Sequence, residues 1–386
     1  MKPDSPYDVV IVGGGIAGLW LLSVLRRAGY QAILVEKQAL GAGQTLASQG
    51  ILHGGTKYAL AGKLTGASEA VRDMPPRWAR HLAGDIQPDL RSVKINAAHQ
   101  WMWGSDGLAS KAASFLASKA MHSRVQALAR TELPEFFRLQ GVKQVYRLQE
   151  PVLDVRSLLQ GLTQKTSAHC YQAAAVSVTQ NPENVSLLLD SETGSARIRA
   201  SAVIFSAGAG NAALQSQAMQ KRPLHMVMIK GDLPTLCGHV IEVSANPRLT
   251  ITSHEVSGGE HVWYLGGQLA ESGSNRDSAS QLQEAKKEVR QLFPGIDWQA
   301  MQWATLRVDR AEAAQAGGKR PDEPVIKQDG RCITLWPTKL VFAPLVADRV
   351  LDRLQQLRLV KTEAPAALNL PLAELGSYPW EMAAWE

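Results

Sequence analysis

The sequence predicts an α/β fold in which a parallel, doubly wound unit is combined with an interleaved α+β domain built on a mixed antiparallel sheet. Residues 8–12 form a short apolar, β-branched run, which is typical of a buried parallel strand. A glycine-rich turn follows, and residues 19–28 then place apolar side chains at helical spacing before Gly29 ends the helix. Residues 224–269 alternate in polarity between turn-forming residues, as antiparallel strands do.

The glycine-rich turn has the spacing G-x-G-x-x-G, with Gly13, Gly15 and Gly18 at the three positions. Gly13 permits a tight turn, Gly15 lets backbone N–H groups approach a pyrophosphate, and Gly18 lets the helix pack against the strand. The N-terminus of that helix directs its positive dipole end at the same phosphates. The pattern therefore predicts a Rossmann-like dinucleotide site.

A second apolar strand, residues 32–35, is followed by Glu36, whose carboxylate is placed to accept hydrogen bonds from a ribose hydroxyl. The first strand, the helix, the second strand and the acid thus follow one another at the spacing of a dinucleotide-binding unit. This unit by itself fits FAD and NAD equally well, so the choice between them depends on residues farther along the chain.

Two further stretches have helical periodicity. Residues 108–139 carry alanine, leucine and phenylalanine on one face, and residues 278–292 are closed by Pro294 and Gly295. Both predicted helices are assigned to the interleaved domain.

The charge balance is modest, since 41 Lys+Arg against 35 Asp+Glu give a formal net charge of +6. That excess suits an anionic cofactor or substrate but is too diffuse to indicate nucleic acid. The basic pairs at 286–287 and 319–320 are short and interrupted, which is typical of solvated helix faces or loops. The sequence thus carries no clear nucleic-acid-binding pattern.

The three cysteines, Cys170, Cys237 and Cys332, lie far apart and form no CxxC pair, which argues against a disulfide framework or a zinc site. A reducing compartment fits this usage. No apolar run approaches the roughly 20 residues that span a bilayer, and the polar first residues do not resemble a signal peptide. We expect a location in the cytoplasm or at a membrane surface.

Residues 41–58 decide which cofactor the glycine turn serves. Small residues dominate this segment, as is typical of a chain that runs along a flat cofactor at contact distance. The segment resembles the D-amino-acid oxidase superfamily of FAD-dependent oxidoreductases. Within it, residues 52–58 (LHGGTKY) are similar to FAD-dependent glycerol-3-phosphate dehydrogenases, and residues 48–53 (SQGILH) are similar to L-2-hydroxyglutarate oxidases.

Two later segments carry the same resemblance. Residues 202–210 (AVIFSAGAG) are similar to the strand with which these proteins return to the nucleotide-binding half. Residues 338–347 (TKLVFAPLVA) lead into a helix, and in the superfamily the loop before that helix packs on the flavin ring. The sequence departs from the family at 335–338 (LWPT), which lack the glycine-rich approach that is usual there.

The resemblance implies FAD as the cofactor and a discontinuous FAD-binding domain. The predicted domain bounds are 1–80, 145–222 and 305–360 for the FAD-binding domain, 81–144 and 223–304 for the substrate domain, and 361–386 for a C-terminal tail. The predicted cofactor-binding residues are Gly13, Gly15, Ile16, Ala17, Gly18, Glu36, Lys37, Gly43, Thr45, Ser48, Gln49, Gly50, Val176, Ala207, Gly208, Thr338, Lys339 and Leu340.

The resemblance also implies a substrate site on the flavin ring. His53 is predicted to be catalytic, by taking a hydroxyl proton, although a covalent flavin link or a plain hydrogen bond to the cofactor are alternatives. Lys57 and Tyr58 match positions that bind the anionic substrate in the glycerophosphate enzymes. Arg307 matches the superfamily arginine that clamps a carboxylate or phosphate, and Lys339 matches the lysine of the C-terminal flavin loop; both are predicted to be catalytic.

Four histidines, His225, His239, His254 and His261, fall in the predicted sheet of the substrate domain, and one of them is a candidate to face the pocket. The other three are expected in the core or at the surface. The function that these residues imply is oxidation of a small anionic 2-hydroxy acid, amino acid or polyol phosphate by hydride transfer to the flavin N5. Oxygen or a quinone-type carrier would then reoxidise the cofactor.

Three alternatives stay open at this point. A glycine- or D-amino-acid-type amine oxidase is the nearest one. A flavin monooxygenase shares the opening fold but also needs reduced nicotinamide, and the sequence shows no second dinucleotide motif. A flavoprotein that acts on a macromolecule such as RNA is the third, and only the net charge and the tryptophan-containing tail favour it.

Overall fold

The computed structural model describes residues 6–54, 71–104, 125–215, 218–242, 246–363, 365 and 367–386. Within these ranges the chain forms two eight-stranded sheets and a separate two-stranded sheet. The first sheet contains parallel pairs, and the second is built mainly from antiparallel pairs. The predicted α/β fold with a mixed antiparallel second sheet is therefore confirmed.

The first sheet has the order β17-β18-β11-β1-β2-β8, and β10 joins β11 to β9 in an antiparallel extension. Its strands are β1 Pro6–Val12, β2 Ala32–Glu36, β8 Cys170–Gln172, β9 Ala174–Gln180, β10 Val185–Ser191, β11 Gly194–Phe205, β17 Val325–Asp329 and β18 Cys332–Trp336. In β1, Val9, Val10 and Ile11 are fully buried because both faces of the sheet are covered. This double burial explains the uninterrupted apolar run.

The second sheet has the order β16-β12-β15-β14-β13-β4-β6-β5. Its strands are β4 Gln100–Gly104, β5 Val125–Ala127, β6 Val145–Leu148, β12 Met219–Gly231, β13 Gly238–Ile241, β14 Leu249–Glu255, β15 His261–Gly266 and β16 Gln302–Ala313. The small third sheet pairs β3 Ile95–Ala97 with β7 Val152–Leu153. β6, which begins at the predicted domain boundary at residue 145, pairs with β4 and β5 of the second sheet. The domain bounds stay predictions.

The helices among the described residues are α1 Ile16–Arg27, α2 Met74–Ala83, α3 Glu135–Leu139, α4 Val155–Thr163, α5 Asn211–Leu214, α6 Gln268–Ser272, α7 Ser278–Leu292 and α8 Ala343–Gln356. The prediction for 278–292 is confirmed, and the Asp277 carboxylate caps that helix through the backbone N–H of Ser280. The continuous helix predicted over 108–139 is wrong where the structure describes it, because β5 and the short α3 occupy 125–139. None of the described helices combines the length and apolar character needed to cross a membrane.

The two faces of the second sheet belong to different cores. Met226 and Met228 of β12 pack into the core shared with the first sheet, whereas Val227 and Ile229 pack toward α7. Since β12 and β16 pair without a register shift, the same alternation runs along β16. Leu306 and Val308 accordingly face the first sheet, and Arg307 between them faces away.

The C-terminal tail folds back over the described body rather than extending from it. The backbone of Leu40 exchanges hydrogen bonds with Glu374 and Gly376, at 2.7 and 2.9 Å, and the backbone of Glu386 pairs with Trp303. Trp380 stacks on Tyr378 with ring centroids 4.3 Å apart. The tail thus contacts both sheets, and its tryptophans have a structural role.

The three cysteines are free and buried. Burial raises the pKa of the Cys170 thiol to about 12 and that of Cys237 and Cys332 to about 11. A raised pKa leaves almost no thiolate at about pH 8, and the thiolate is the reactive form. We expect iodoacetamide to leave all three unmodified in the native protein and to alkylate all three after denaturation. Intact-mass spectrometry measures both; rapid native labelling of any one would contradict the buried placement.

Candidate functional site

The turn between β1 and α1 has no room for side chains at two of its glycines. Gly13 has a φ of +111°, and a Cβ there would lie 2.6 Å from the backbone of Ala207. A Cβ on Gly18 would lie 2.0 Å from the Gly13 carbonyl oxygen. The turn therefore brings β1, α1 and the end of β11 into backbone contact, as the predicted roles of these glycines require.

The N-terminus of α1 opens beside this turn. Gly15 precedes the helix without a capping side chain, and a Cβ there would meet only the Thr45 hydroxyl, at 3.1 Å. The backbone N–H of Ile16 donates to that hydroxyl, at 3.1 Å, and Ala17 follows in the first turn. A helix terminus without acidic side chains in its first turn attracts anions, so this geometry fits the pyrophosphate of a dinucleotide.

Glu36 lies at the carboxyl end of β2, directly beside the glycine turn. Its Oε2 accepts a hydrogen bond from the Gly14 N–H at 2.6 Å, and its Oε1 accepts one from the Gln38 N–H at 3.0 Å. A carboxylate has about four lone-pair positions, so ribose hydroxyls still find acceptor capacity on these oxygens. Lys37 is exposed beside it, and Val176 on β9 is 54% exposed.

The segment from Gly43 to Gly50 runs between the two sheets. Gly43 has a φ of +79° with open space where a Cβ would lie, and the Ser48 hydroxyl donates to the Thr45 carbonyl at 2.7 Å. The Gln49 amide donates to the Tyr264 carbonyl at 2.9 Å, which ties the segment to the second sheet. A Cβ on Gly50 would lie 2.3 Å from the Leu153 carbonyl oxygen. The segment is thus held against Tyr264 of the second sheet at Gln49 and against the backbone of Leu153 at Gly50.

Aromatic rings of the tail support this segment from outside. The Tyr264 hydroxyl donates to the Ala47 carbonyl at 3.0 Å, and its ring lies 5.8 Å from that of Trp380. His254 packs 4.3 Å from Trp380, and complete burial lowers its pKa to about 3, so it is neutral at physiological pH. The rings of Tyr264, His254 and Trp380 that lie behind the segment are therefore uncharged at physiological pH.

Two more predicted cofactor positions lie at the carboxyl ends of β11 and β18. Ala207 and Gly208 follow β11 beside the glycine turn, and Gly208 has a φ of +55°. Thr338 follows β18 and has a φ of 62°, which is in the left-handed region. The chain turns tightly there, and the backbone N–H of Lys339 donates to the Pro337 carbonyl at 2.7 Å. Leu340 then opens the turn that leads into α8. Since ligands bind at the carboxyl ends of parallel strands, these loops share one crevice with the glycine turn.

His53 follows this segment and lies beside two residues of the second half of the chain. Its Nδ1 is 3.4 Å from Glu150 Oε2, and its ring stacks on that of His239 with centroids 6.2 Å apart. Glu150 is only 3% exposed, and its Oε1 accepts the Gly54 N–H at 2.8 Å. His239 is the one of the four sheet histidines that joins His53. We call His53, Glu150 and His239 the histidine cluster.

The other predicted substrate residues are not brought to this cluster. Lys57 and Tyr58 lie outside the described residues. Arg307 lies on the face of β16 that points away from the first sheet, where its guanidinium donates to the carbonyls of Ser274 and Arg276, at 2.7 Å for Ser274. The predicted role of Arg307 therefore gains no support from its position.

A group of three arginines that the sequence analysis did not select lies by the opposite face of β16: Arg310 is on β16, Arg222 pairs with it from β12, and Arg320 follows β16 in the chain. Arg310 donates to Glu271 at 3.2 Å, and Arg222 binds buried Glu312 through two hydrogen bonds of 2.7 and 3.0 Å. Arg320 lies 3.9 Å from the same carboxylate and donates to the Thr338 carbonyl at 3.3 Å. We call Arg222, Arg310 and Arg320 the arginine cluster.

Among the described residues, the carboxylates that contact the three guanidinium groups of the arginine cluster are those of Glu271 and Glu312. Burial, together with the nearby Arg222 guanidinium, lowers the pKa of Arg310. Its Nε is buried and has no hydrogen-bond partner among the described residues. An anion beside Arg310 would offset the cost of burying the charged guanidinium and would accept the hydrogen bond that Nε can donate.

The fold and the site together define a class. A glycine turn at a helix N-terminus and an acid at the end of the second parallel strand define a dinucleotide-binding protein of the Rossmann type. The model of the FAD-dependent oxidoreductase family matches residues 8–336, so the chain belongs to this family. The protein is an FAD-dependent oxidoreductase.

Individual relatives agree with the family. The chain is 46% identical to a probable FAD-dependent oxidoreductase of Pseudomonas aeruginosa, over 97% of this chain and 98% of the relative. A crystal structure of an FAD-dependent oxidoreductase from the same species superposes with a TM-score of 0.84 at 40% identity, covering 99% of both chains. Glycine oxidase from Geobacillus kaustophilus has a TM-score of 0.65 at 17% identity, covering 97% of this chain and all of the other.

The L-α-glycerophosphate oxidase of Mycoplasma pneumoniae, solved with FAD bound, has a TM-score of 0.66 at 13% identity and covers 97% of each chain. At such identities the glycine and glycerophosphate oxidases show the shared fold alone. The predicted membership of the D-amino-acid oxidase superfamily, and FAD as cofactor, are confirmed by the family match and the 46% identical relative.

Proposed function

We propose that this chain oxidises a small anionic substrate, a 2-hydroxy acid, an amino acid or a polyol phosphate, in the crevice between the carboxyl edge of the first sheet and the second sheet. FAD supplies the hydride acceptor when it is bound, and oxygen or a quinone-type carrier returns it to the oxidised state. The single observation that supports an anionic substrate is the arginine cluster, because it holds the buried Arg310 guanidinium, whose Nε has no hydrogen-bond partner among the described residues, near two further arginines.

The cluster is positioned to bind rather than only to brace the fold. Arg310 shares its face of β16 with Leu306 and Val308, which pack toward the first sheet. β16 also packs beside Gly208–Gly210, next to the glycine turn. A carboxylate or phosphate held by Arg310 would therefore lie near the crevice, and exclusion of water there strengthens a charge-assisted hydrogen bond.

We assign proton handling to His53, with Glu150 as its positioning residue. A hydroxyl or ammonium substrate must lose a proton as its C–H bond is broken, and an imidazole beside a carboxylate is suited to accept it. Glu150 contacts Nδ1 of His53, so the other ring nitrogen, Nε2, is the one that would face the substrate. Lys339, on the Thr338 loop, is proposed to add positive charge at the flavin ring.

The arginine cluster is tested by a pair of variants on one strand. Arg310→Met should raise KM for the true substrate by about 10- to 100-fold, since one charge-assisted hydrogen bond contributes about 1.5–3 kcal/mol. Flavin occupancy should stay unchanged. Arg307→Met, on the other face of β16, is the matched control and should leave KM within about twofold. If Arg307→Met raises KM and Arg310→Met does not, the anion binds elsewhere.

Amine oxidation is the second candidate, because the chain shares its fold with glycine oxidase. The same crevice would hold the carboxylate of an amino acid on the arginine cluster. Turnover of a substrate panel separates the two chemistries, since amine oxidation releases ammonia and hydroxyl oxidation does not. Ammonia formed in proportion to substrate consumed would select the amine oxidase.

A further inference from the structure

The histidine cluster has the composition of a metal site. His53, Glu150 and His239 each offer one ligand atom, and these atoms lie within 4.8 Å of one another. We propose that the cluster binds a divalent transition-metal ion of the Zn²⁺ class. Two imidazoles and one carboxylate favour such ions over Mg²⁺ and Ca²⁺, which prefer oxygen ligands.

The ligands are held in place by contacts that metal sites commonly use. Glu150 is 3% exposed, and its Oε1 is fixed by the Gly54 N–H at 2.8 Å. His239 is 2% exposed, and its Nδ1 lies 2.9 Å from the Thr250 hydroxyl. A hydrogen bond at Nδ1 orients the ring and directs Nε2 toward the ion. Two of the three ligands therefore need little reorganisation.

The spacing is compatible with coordination. Zn–ligand bonds of about 2.1 Å in a tetrahedron separate neighbouring ligand atoms by roughly 3.4 Å. His53 Nδ1 and Glu150 Oε2 already lie 3.4 Å apart. The widest separation, at most 4.8 Å, closes by rotation of a side chain, and His53 is the partly exposed member that can rotate. A divalent ion would also offset the cost of burying the Glu150 carboxylate.

Occupancy would have a consequence for the reaction. When Nδ1 of His53 ligates a metal, the neutral ring carries its own proton on Nε2, so Nε2 cannot accept the substrate proton, and Glu150 would no longer position the ring. Zn²⁺ is therefore expected to inhibit flavin reduction by substrate. This consequence, unlike the metal site itself, rests on the proposed function of His53.

Binding is measured without substrate, on FAD-loaded protein first treated with a chelator. Calorimetric titration with Zn²⁺ should give one ion per chain, with affinity reduced at least about tenfold in His239→Ala and in Glu150→Gln. His261→Ala is the matched control, because His261 also lies in the second sheet but pairs with Thr235. Its affinity should equal that of the wild type.

Three results decide the proposal. No Zn²⁺ binding by the wild type overturns it, and so does affinity unchanged in His239→Ala and Glu150→Gln. Folding is verified by flavin absorption and thermal unfolding, and Glu150→Gln keeps the shape and the acceptor for Gly54. Zn²⁺ that binds with the expected variant pattern supports the site; if it then leaves flavin reduction unchanged, the role of His53 in the proposed function fails while the metal site stands.

Discussion

Gly15→Val is expected to give a folded protein that has lost FAD. Gly15 has a φ of −74° and a ψ of −177°, extended backbone that any residue adopts, and its Cβ would meet only the Thr45 hydroxyl, at 3.1 Å. The fold therefore tolerates a side chain there. The same side chain points where a pyrophosphate must approach the helix N-terminus, so FAD affinity should fall at least about 100-fold, roughly 2.7 kcal/mol.

The measurement is the visible flavin absorption of the purified variant, with thermal unfolding as a test of the fold. Gly161→Ala in α4 is the control, since its Cβ would make an ordinary contact of 3.5 Å with Leu90 and flavin should be retained. Gly18→Val is the contrasting variant. Its Cβ would lie 2.0 Å from a backbone oxygen, so the fold itself should fail. Full flavin occupancy in Gly15→Val would show that the turn does not hold the pyrophosphate.

Substitution of His53 is expected to cost about 10²- to 10⁴-fold in the rate of flavin reduction, the range typical of a lost general base. His53→Gln keeps a polar side chain of similar length but removes the imidazole. Glu150→Gln keeps the Gly54 hydrogen bond and removes only the charge that positions His53, so a smaller loss of about tenfold is expected.

Anaerobic stopped-flow measurement of flavin reduction checks both variants, and His261→Gln serves as the control histidine. Flavin content should be equal in all three. A wild-type rate in His53→Gln would contradict the assignment of proton transfer to this residue. Loss of flavin together with loss of rate would instead indicate that His53 holds the cofactor, which is the alternative that the sequence left open.

The glycine turn was predictable because its constraints are local. A strand, three glycines, a helix and an acid follow one another within residues 8–36, and each glycine is needed for a backbone approach inside that same unit. The structure places Gly13, Gly18 and Glu36 as the motif implies. Where neighbours in sequence are also neighbours in space, the sequence predicts the local backbone geometry, and the contacts of these residues with FAD stay a prediction.

The region at 125–139 was not predictable in this way. Its alanine, leucine and phenylalanine residues have helical spacing, yet β5 is a strand because it pairs with β6, and Pro134 starts the separate short α3. The strand that pairs with β5 is β6, Val145–Leu148, which lies beyond the residues whose helical spacing led to the prediction. Tertiary pairing here overrides local helical preference.

Arg307 was predicted from its resemblance to the superfamily arginine, whereas the structure places Arg310, and not Arg307, on the face of β16 that packs toward the first sheet. The alternation of side chains along a strand is fixed by the backbone, but which face meets the first sheet depends on how the second sheet packs. The sequence shows that arginines occupy positions 307 and 310 but does not show which of them lies on the face that packs toward the first sheet. Glu150 was missed because it is 97 residues from His53 and meets it only through the fold. His239 was one of four candidate histidines, and the sequence did not indicate which of them lies beside His53.

The central claim is that this FAD-dependent oxidoreductase takes electrons from a small anion bound by the arginine cluster. The most direct test is anaerobic bleaching of the flavin band by a panel of hydroxy acids, amino acids and glycerol phosphate, in the wild type and in Arg310→Met. At least one small anion should bleach the wild type, and the variant should need about tenfold more of it. Bleaching by NADPH alone, with no response to any anion, would contradict the account.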